Sequence, residues 1–170
     1  MGRLVGSEMC IRDRKTAASE FEILAPVSGE LVHLENTNDP AFSSRAVGDG
    51  VAVVPQEGTV CAPVSGTVAA LFPTEHALGI MSDDSSAQVM LHIGIDTVKL
   101  EGKGFHALVA QGDHVDAGQP LVEVDFDAVR AAGFDPTVFV IVCERSENST
   151  LREHASGPVA VKEPVVWLSE

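Results

Sequence analysis

The sequence predicts an all-β fold, an antiparallel β-sandwich of barrel-sandwich-like form with one or two short helices. Three observations carry this prediction. Apolar residues come in short runs or alternate, the pattern of strands rather than long helices. The 15 glycines and 9 prolines interrupt those runs at close intervals. A five-residue phrase also repeats. Ala25-Pro26-Val27-Ser28-Gly29 returns as Ala62-Pro63-Val64-Ser65-Gly66, an offset of 37 (62 minus 25), and each copy leads into an apolar run.

The expected strands follow in chain order: Phe21–Leu24, Leu31–Leu34, Val51–Val54, Val60–Ala62, Val68–Phe72, Leu78–Met81, Val89–Ile95, Val98–Leu100, Leu108–Val109, Leu121–Val124, Val138–Val142 and Val165–Leu168. In both copies of the repeat, proline ends one strand and Ser-Gly turns the chain into the next. A related stretch, Gln111 to Leu121, turns at Ala117-Gly118. Asp125 to Gly133 reads as a short helix, with Asp125 as N-cap and Gly133 as stop. A single helical turn is expected near Asn148–Glu153. Biotinyl and lipoyl carrier domains use similar phrasing around a lysine beside methionine. Lys15, Lys99, Lys103 and Lys162 have no methionine neighbour. The repeat therefore suggests a related topology and not a swinging-arm carrier.

The 170 residues suit one domain with a workable core. Lys and Arg number 11 against 25 Asp and Glu, a net charge of −14. Nucleic acid and anionic membranes both ask for a basic face, so neither is expected as a partner. No apolar run is long enough to span a bilayer. Cys10, Cys61 and Cys143 are odd in number and far apart, which fits a reducing cytosol and suggests neither a disulfide framework nor a thiolate zinc site. Residues 1–15 differ from the rest. Arg3, Arg12, Arg14 and Lys15 face only Glu8 and Asp13, so residues 16–170 hold 7 cations against 23 acids, a net −16. Ser7 to Arg14 resembles a translated sequencing adapter. Residues 1–15 are expected to be non-native and disordered, and 16–170 to form the domain.

Of the six histidines, His33, His106, His114 and His154 read as surface or half-buried residues without a partner motif. His76 and His92 differ. His92 lies in the very apolar run Val89–Val98, where a lone imidazole needs a hydrogen-bond partner or a function. The polar turn Ser82–Ser86 separates the two, and each stands eight residues from Asp84. A regular antiparallel hairpin would set them opposite each other. Phe72, Leu78, Met90, Leu91 and Ile93 flank them. A structural pair is one reading. In a second, one neutral imidazole, with an ordinary pKa of about 6.5, attacks phosphorus while its neighbour donates a hydrogen bond to the phosphoryl oxygens. In a third, the pair ligates zinc with a carboxylate and water.

The run His92-Ile93-Gly94-Ile95-Asp96-Thr97-Val98-Lys99-Leu100-Glu101-Gly102-Lys103-Gly104-Phe105 resembles the signature of the glucose-type enzyme IIA domain of the bacterial phosphoenolpyruvate-dependent sugar phosphotransferase system. Ala25–Gly29, Val47–Ala52, Ala62–Val68, Phe72–Ala77 and Gly157–Val159 match that family in order, so the resemblance covers about residues 20–170. It implies an antiparallel sandwich with a shallow apolar depression. His92 would be phosphorylated on Nε2. His76 would be the second histidine, needed more for donating than for accepting. Thr74 would orient His76, the Gly94 carbonyl would orient His92, and Asp96 would lie close by. Phe42, Phe72, Leu78, Met90 and Leu91 would form a docking rim, with core packing as their competing role. Phe42 sits in a loosely matching stretch, and Glu75 would add an unfavourable charge unless it points away.

The partners so implied are the phosphocarrier protein HPr, which presents arginine beside its own phosphohistidine, and a cysteine-bearing IIB domain. The setting is cytoplasmic, at the inner face of the membrane through IIB and IIC, and sugar choice lies in those parts. No cofactor is required. A regulatory module that binds target proteins, with zinc bridging His76 and His92, is the alternative reading. A zinc hydrolase on a related fold is the remote one.

Overall fold

The computed structural model describes residues 20–37, 39–45, 48–83, 87–145 and 149–169. Residues 1–15, expected to be foreign to the domain, lie outside the described residues. So do Asp84, Ser85 and Ser86 of the expected turn, and Asn148.

The chain runs through β1 (Glu20–Leu24), β2 (Gly29–His33), a 3-10 turn (Leu34–Asn36), α1 (Pro40–Ser43), β3 (Asp49–Pro55), β4 (Thr59–Cys61), β5 (Gly66–Leu71), β6 (Ala77–Ser82) and β7 (Ala87–Ile93). A second 3-10 turn (Thr97–Leu100) follows. Then come β8 (Phe105–Ala107), β9 (His114–Val115), β10 (Pro120–Val124), α2 (Phe126–Ala131), β11 (Val138–Arg145), β12 (Thr150–Glu153), β13 (Gly157–Val159) and β14 (Pro164–Ser169). The large sheet has the order β9-β5-β6-β7-β11-β3-β2-β13, and two three-stranded sheets run β4-β10-β8 and β12-β14-β1. Every pairing is antiparallel. The all-β expectation holds.

The repeated phrase has a structural purpose. Its two copies bond each other reciprocally, Leu24 N–H to the Pro63 carbonyl (2.9 Å) and Cys61 N–H to the Pro26 carbonyl (2.7 Å). Ser28 Oγ accepts from Val161 N–H, and Ser65 Oγ accepts from Ala117 N–H. A Cβ on Gly29 would lie 1.9 Å from the Val54 carbonyl oxygen, and one on Gly66 would lie 2.0 Å from that of Met81. Glycine is therefore required where the backbones approach this closely.

Three local expectations change. Thr97–Leu100 coils as a 3-10 turn instead of a strand, because Gly94 (φ 80°) and Asp96 (φ 61°) leave the extended region just after β7. Leu108–Val109 forms no strand. Thr150–Glu153, expected as a helical turn, is β12 and pairs with β14. Helix α1 was not foreseen. Helix α2 forms as expected, with the Asp125 side chain accepting from Ala128 N–H and Gly133 at φ 91° just beyond its end.

The main core fills the space between the large sheet and the two small ones, with α2 contributing Phe126 and Val129. Strand alternation assigns β7 cleanly. Val89, Leu91 and Ile93 face this core, while Met90 and His92 lie on the other face of the sheet. There a smaller cluster forms from Leu34, Phe42, Ala52, Phe139 and Ile141, with Val32, Met90 and Ile95 against it. Leu91 and Leu78, paired across the hairpin, are 1% and 0% exposed. Both belong to the core and not to a docking rim, which corrects the reading from sequence. Leu91→Ala is expected to lower stability by about 2–5 kcal/mol through the cavity it leaves. The drop is measured as a lower urea midpoint.

Candidate functional site

The site lies on the outer face of the large sheet, at the end of the β6–β7 hairpin. Cross-strand pairing sets His92 opposite Ala77, not opposite His76. The hairpin is one residue out of the register inferred from the sequence, and His76 precedes β6. Its carbonyl still accepts from Ile93 N–H at 2.7 Å, extending the ladder by one bond. Strict alternation would point His76 away from His92. The turn before it overrides the alternation. Glu75 N–H bonds the Phe72 carbonyl (2.8 Å) with Glu75 in the left-handed region at φ 62°. The two imidazoles end edge to face, with ring centroids 5.2 Å apart at 85°.

Each ring is held from behind. His76 is 5% exposed, and the Thr74 hydroxyl hydrogen-bonds its Nδ1. Phe72 stands edge-on to it at 5.4 Å. Phe72 itself is 46% exposed, so it projects from the surface beside the pair. His92 is half-buried beside Phe42 (5.2 Å) and Phe139 (6.2 Å), which stack on each other at 4.4 Å. Phe42 is thus a buried wall of the site and not an exposed rim residue. Met90 is half-buried on the same face as His92, and the small residues Ala77 and Gly79 beside the two keep the surface low.

The Gly94 backbone favours the protonated form of the His92 ring, while its buried Nδ1 has no hydrogen-bond partner among the described residues. Gly94 has no room for a side chain, since a Cβ would lie 2.3 Å from Thr97 Cγ2. Thr97 bonds back to the Ile93 carbonyl, and Gly94 N–H bonds the Thr137 carbonyl. This turn fixes the carbonyl behind His92.

Burial pushes the pKa of both imidazoles below the ordinary value. For His76 the neighbouring His92 pushes in the same direction. For His92 the Gly94 carbonyl and the carboxylates of Asp39 and Asp96 oppose the effect of burial without cancelling it. Both rings are therefore neutral at pH 7, and a neutral ring can offer a nitrogen lone pair. Asp96 is exposed and within electrostatic reach of His92. Glu75 does not burden the site, because its Oε1 accepts from Ala107 N–H at 2.6 Å.

The zinc reading gains little here. Among the described residues no group of three or more His, Cys, Asp or Glu is arranged to hold a metal. The imidazole pair supplies at most two of the four donors that zinc takes. Sequence reasoning missed Asp39 and Phe139. Phe139 lies opposite His92 on β11, a long-range pairing that no local pattern reveals. No helix among the described residues is long and apolar enough to cross a membrane.

A family model described as the phosphoenolpyruvate-dependent sugar phosphotransferase system, EIIA 1, matches residues 21–148. The glucose-specific EIICBA component of Streptococcus pneumoniae serotype 4 is 42% identical over 144 residues, 85% of this chain. The chain spans about a fifth (20%) of that relative's length. The glucose-specific EIIA component of Halalkalibacterium halodurans is 34% identical over 154 residues, 91% of this chain and 88% of its own. The solved structure of glucose permease IIA from Mycoplasma capricolum superposes with a TM-score of 0.80 at 34% identity, covering 87% of this chain and 95% of that one. The fold, the ordered motifs and these matches agree: the chain belongs to the glucose-type EIIA family, the phosphotransferase components of bacterial sugar uptake.

Proposed function

We propose that this domain relays a phosphoryl group through His92, taking it from phospho-HPr and passing it to a cysteine of a IIB domain. The observation that carries the reading is a pair of neutral imidazoles in edge-to-face contact, His76 steadied through Nδ1 by Thr74 and His92 backed by the Phe42 ring, beside the exposed Phe72. His92 Nε2 attacks phosphorus as the bond to the donor nitrogen breaks. The ring keeps its Nδ1 proton and becomes cationic. That charge faces the Gly94 carbonyl and the carboxylates of Asp39 and Asp96, groups that favour the cation. The Thr74 hydroxyl donates to His76 Nδ1, which leaves N–H on His76 Nε2 to bond a phosphoryl oxygen. Exposed Phe72 offers an apolar contact for docking partners. The acidic surface complements a donor that presents arginine. A zinc ion bridging the pair would need further donors from a partner protein.

The test is incubation with phosphoenolpyruvate, enzyme I and HPr. An acid-labile, base-stable phosphoprotein is the expected product, and its absence with active enzyme I and HPr overturns the reading.

A further inference from the structure

Helix α1 is only four residues long, too short to hold itself together. Yet residues 39–45 bring two groups to His92: Phe42, against the ring, and Asp39, whose charge reaches it. The segment closes on itself through Ser43 N–H to the Asp39 carbonyl (2.8 Å) and Arg45 N–H to the Phe42 carbonyl (2.9 Å). Phe42 packs on Phe139 (4.4 Å) in the outer cluster, and Arg45 adds a polar anchor to the rest of the protein. Its Nη1 lies 2.7 Å from Glu153 Oε2 and 3.1 Å from Asp49 Oδ1, and its Nη2 lies 2.8 Å from Glu35 Oε1. Those carboxylates come from β12, the start of β3 and the first 3-10 turn. One planar guanidinium therefore joins α1 to both neighbouring segments and to a second sheet. Arg45 sits at φ 61°, a conformation a non-glycine residue keeps only when its surroundings hold it. Without the cation, three carboxylates would crowd together unneutralised, although Arg145 lies 3.6 Å from Asp49.

We propose that Arg45 is a positioning residue for the phosphoryl-transfer site: its three-carboxylate clamp holds residues 39–45 so that the Phe42 ring stays against His92. The proposal rests on His92 as the acceptor, but its first test does not. The ring-proton signals of His92 in the unphosphorylated protein report the Phe42 ring 5.2 Å away. Arg45→Met is expected to move those signals toward their positions in Phe42→Leu, while those of His76, whose aromatic wall is Phe72, move less. In the transfer assay, Arg45→Met is expected to lower kcat for acceptance by up to about a hundredfold, the scale of a misplaced positioning contact. The Arg45→Met/Phe42→Leu double variant should lose no more than the worse single one, since both changes act on the same contact. Arg45→Lys keeps the charge but not the fork, so it should recover part of the loss. Unmoved His92 signals in folded Arg45→Met, or losses that multiply in the double variant, would overturn the proposal. If Arg45→Met does not fold, Glu35→Gln and Glu153→Gln loosen one arm each. They should shift the same signals in the same direction, and unmoved signals in both would equally overturn it. Shifted signals in a protein that accepts no phosphate would leave the clamp standing and refute the relay.

Discussion

His92→Ala is expected to abolish phosphoprotein formation, with acceptance from phospho-HPr falling by at least about a thousandfold, as when a nucleophile is removed. The neighbouring imidazole is not free to take over. His76 Nδ1 is engaged by Thr74, and the ring is 5% exposed. His33 and His154 bond backbone carbonyls, and His114 Nε2 lies 3.0 Å from Asp83. The variant should keep its fold, because His92 lies on the outer face of β7 while the core residues are its neighbours Leu91 and Ile93. A urea midpoint close to that of the wild type would separate loss of chemistry from loss of structure. Labelling that survives in His92→Ala would sink the assignment. The same chemistry sets the pH dependence. A protonated imidazole has no lone pair for phosphorus. Burial lowers the His92 pKa, so acceptance should hold down to below the ordinary imidazole value of about 6.5 and then fall as the pH drops further. Rates measured between about pH 5 and pH 8 check the sign: activity that rises on acidification contradicts a neutral nucleophile.

Much of this was legible before any coordinates, for reasons that differ by element. The repeat at Ala25 and Ala62 announced two matching turns, because Pro and Ser-Gly set turn geometry locally, although the close backbone approach that requires each glycine comes from another strand. Helix α2 was legible from its own cap and stop. The proximity of His76 and His92 was legible because a polar turn between two apolar runs makes a hairpin. Their register was not. It depended on where the turn centre falls and on the left-handed Glu75, and one residue changes which side chains pair. The family resemblance offered Leu78 and Leu91 as rim residues with core packing as the competing role, and the strand's apolar run gave no alternation to decide between them. In the structure, Met90 and His92 mark the outer face, and the leucines belong inside. Phe139, Asp39 and the Arg45 clamp join segments far apart in sequence. Single-chain patterns carry no record of such contacts.

The second large effect concerns direction of transfer. His76→Gln is expected to accept phosphate from HPr at a near-normal rate yet to donate it to a IIB cysteine roughly a hundredfold more slowly, within the usual span for losing a positioned acid–base or charge-stabilising group. The asymmetry follows from geometry. Glutamine can keep an N–H near the place of His76 Nε2, so a phosphoryl oxygen still finds one donor. An amide cannot take up a proton as charge moves onto the departing group, and it loses the alignment that the Thr74 hydroxyl gives the ring. On donation, electrons return to His92 Nε2 while the phosphoryl group crosses to sulfur. An edge-to-face imidazole at 5.2 Å is the group best placed to steady that moving charge. Thr74→Val should then reproduce a weaker form of the same defect, about tenfold in donation, because it frees the ring without removing it. Single-turnover transfer from the isolated phosphoprotein measures donation by itself. Normal donation by His76→Gln would remove the second histidine from the chemistry. An equal loss in both directions would instead make it a group used whenever phosphorus is in flight.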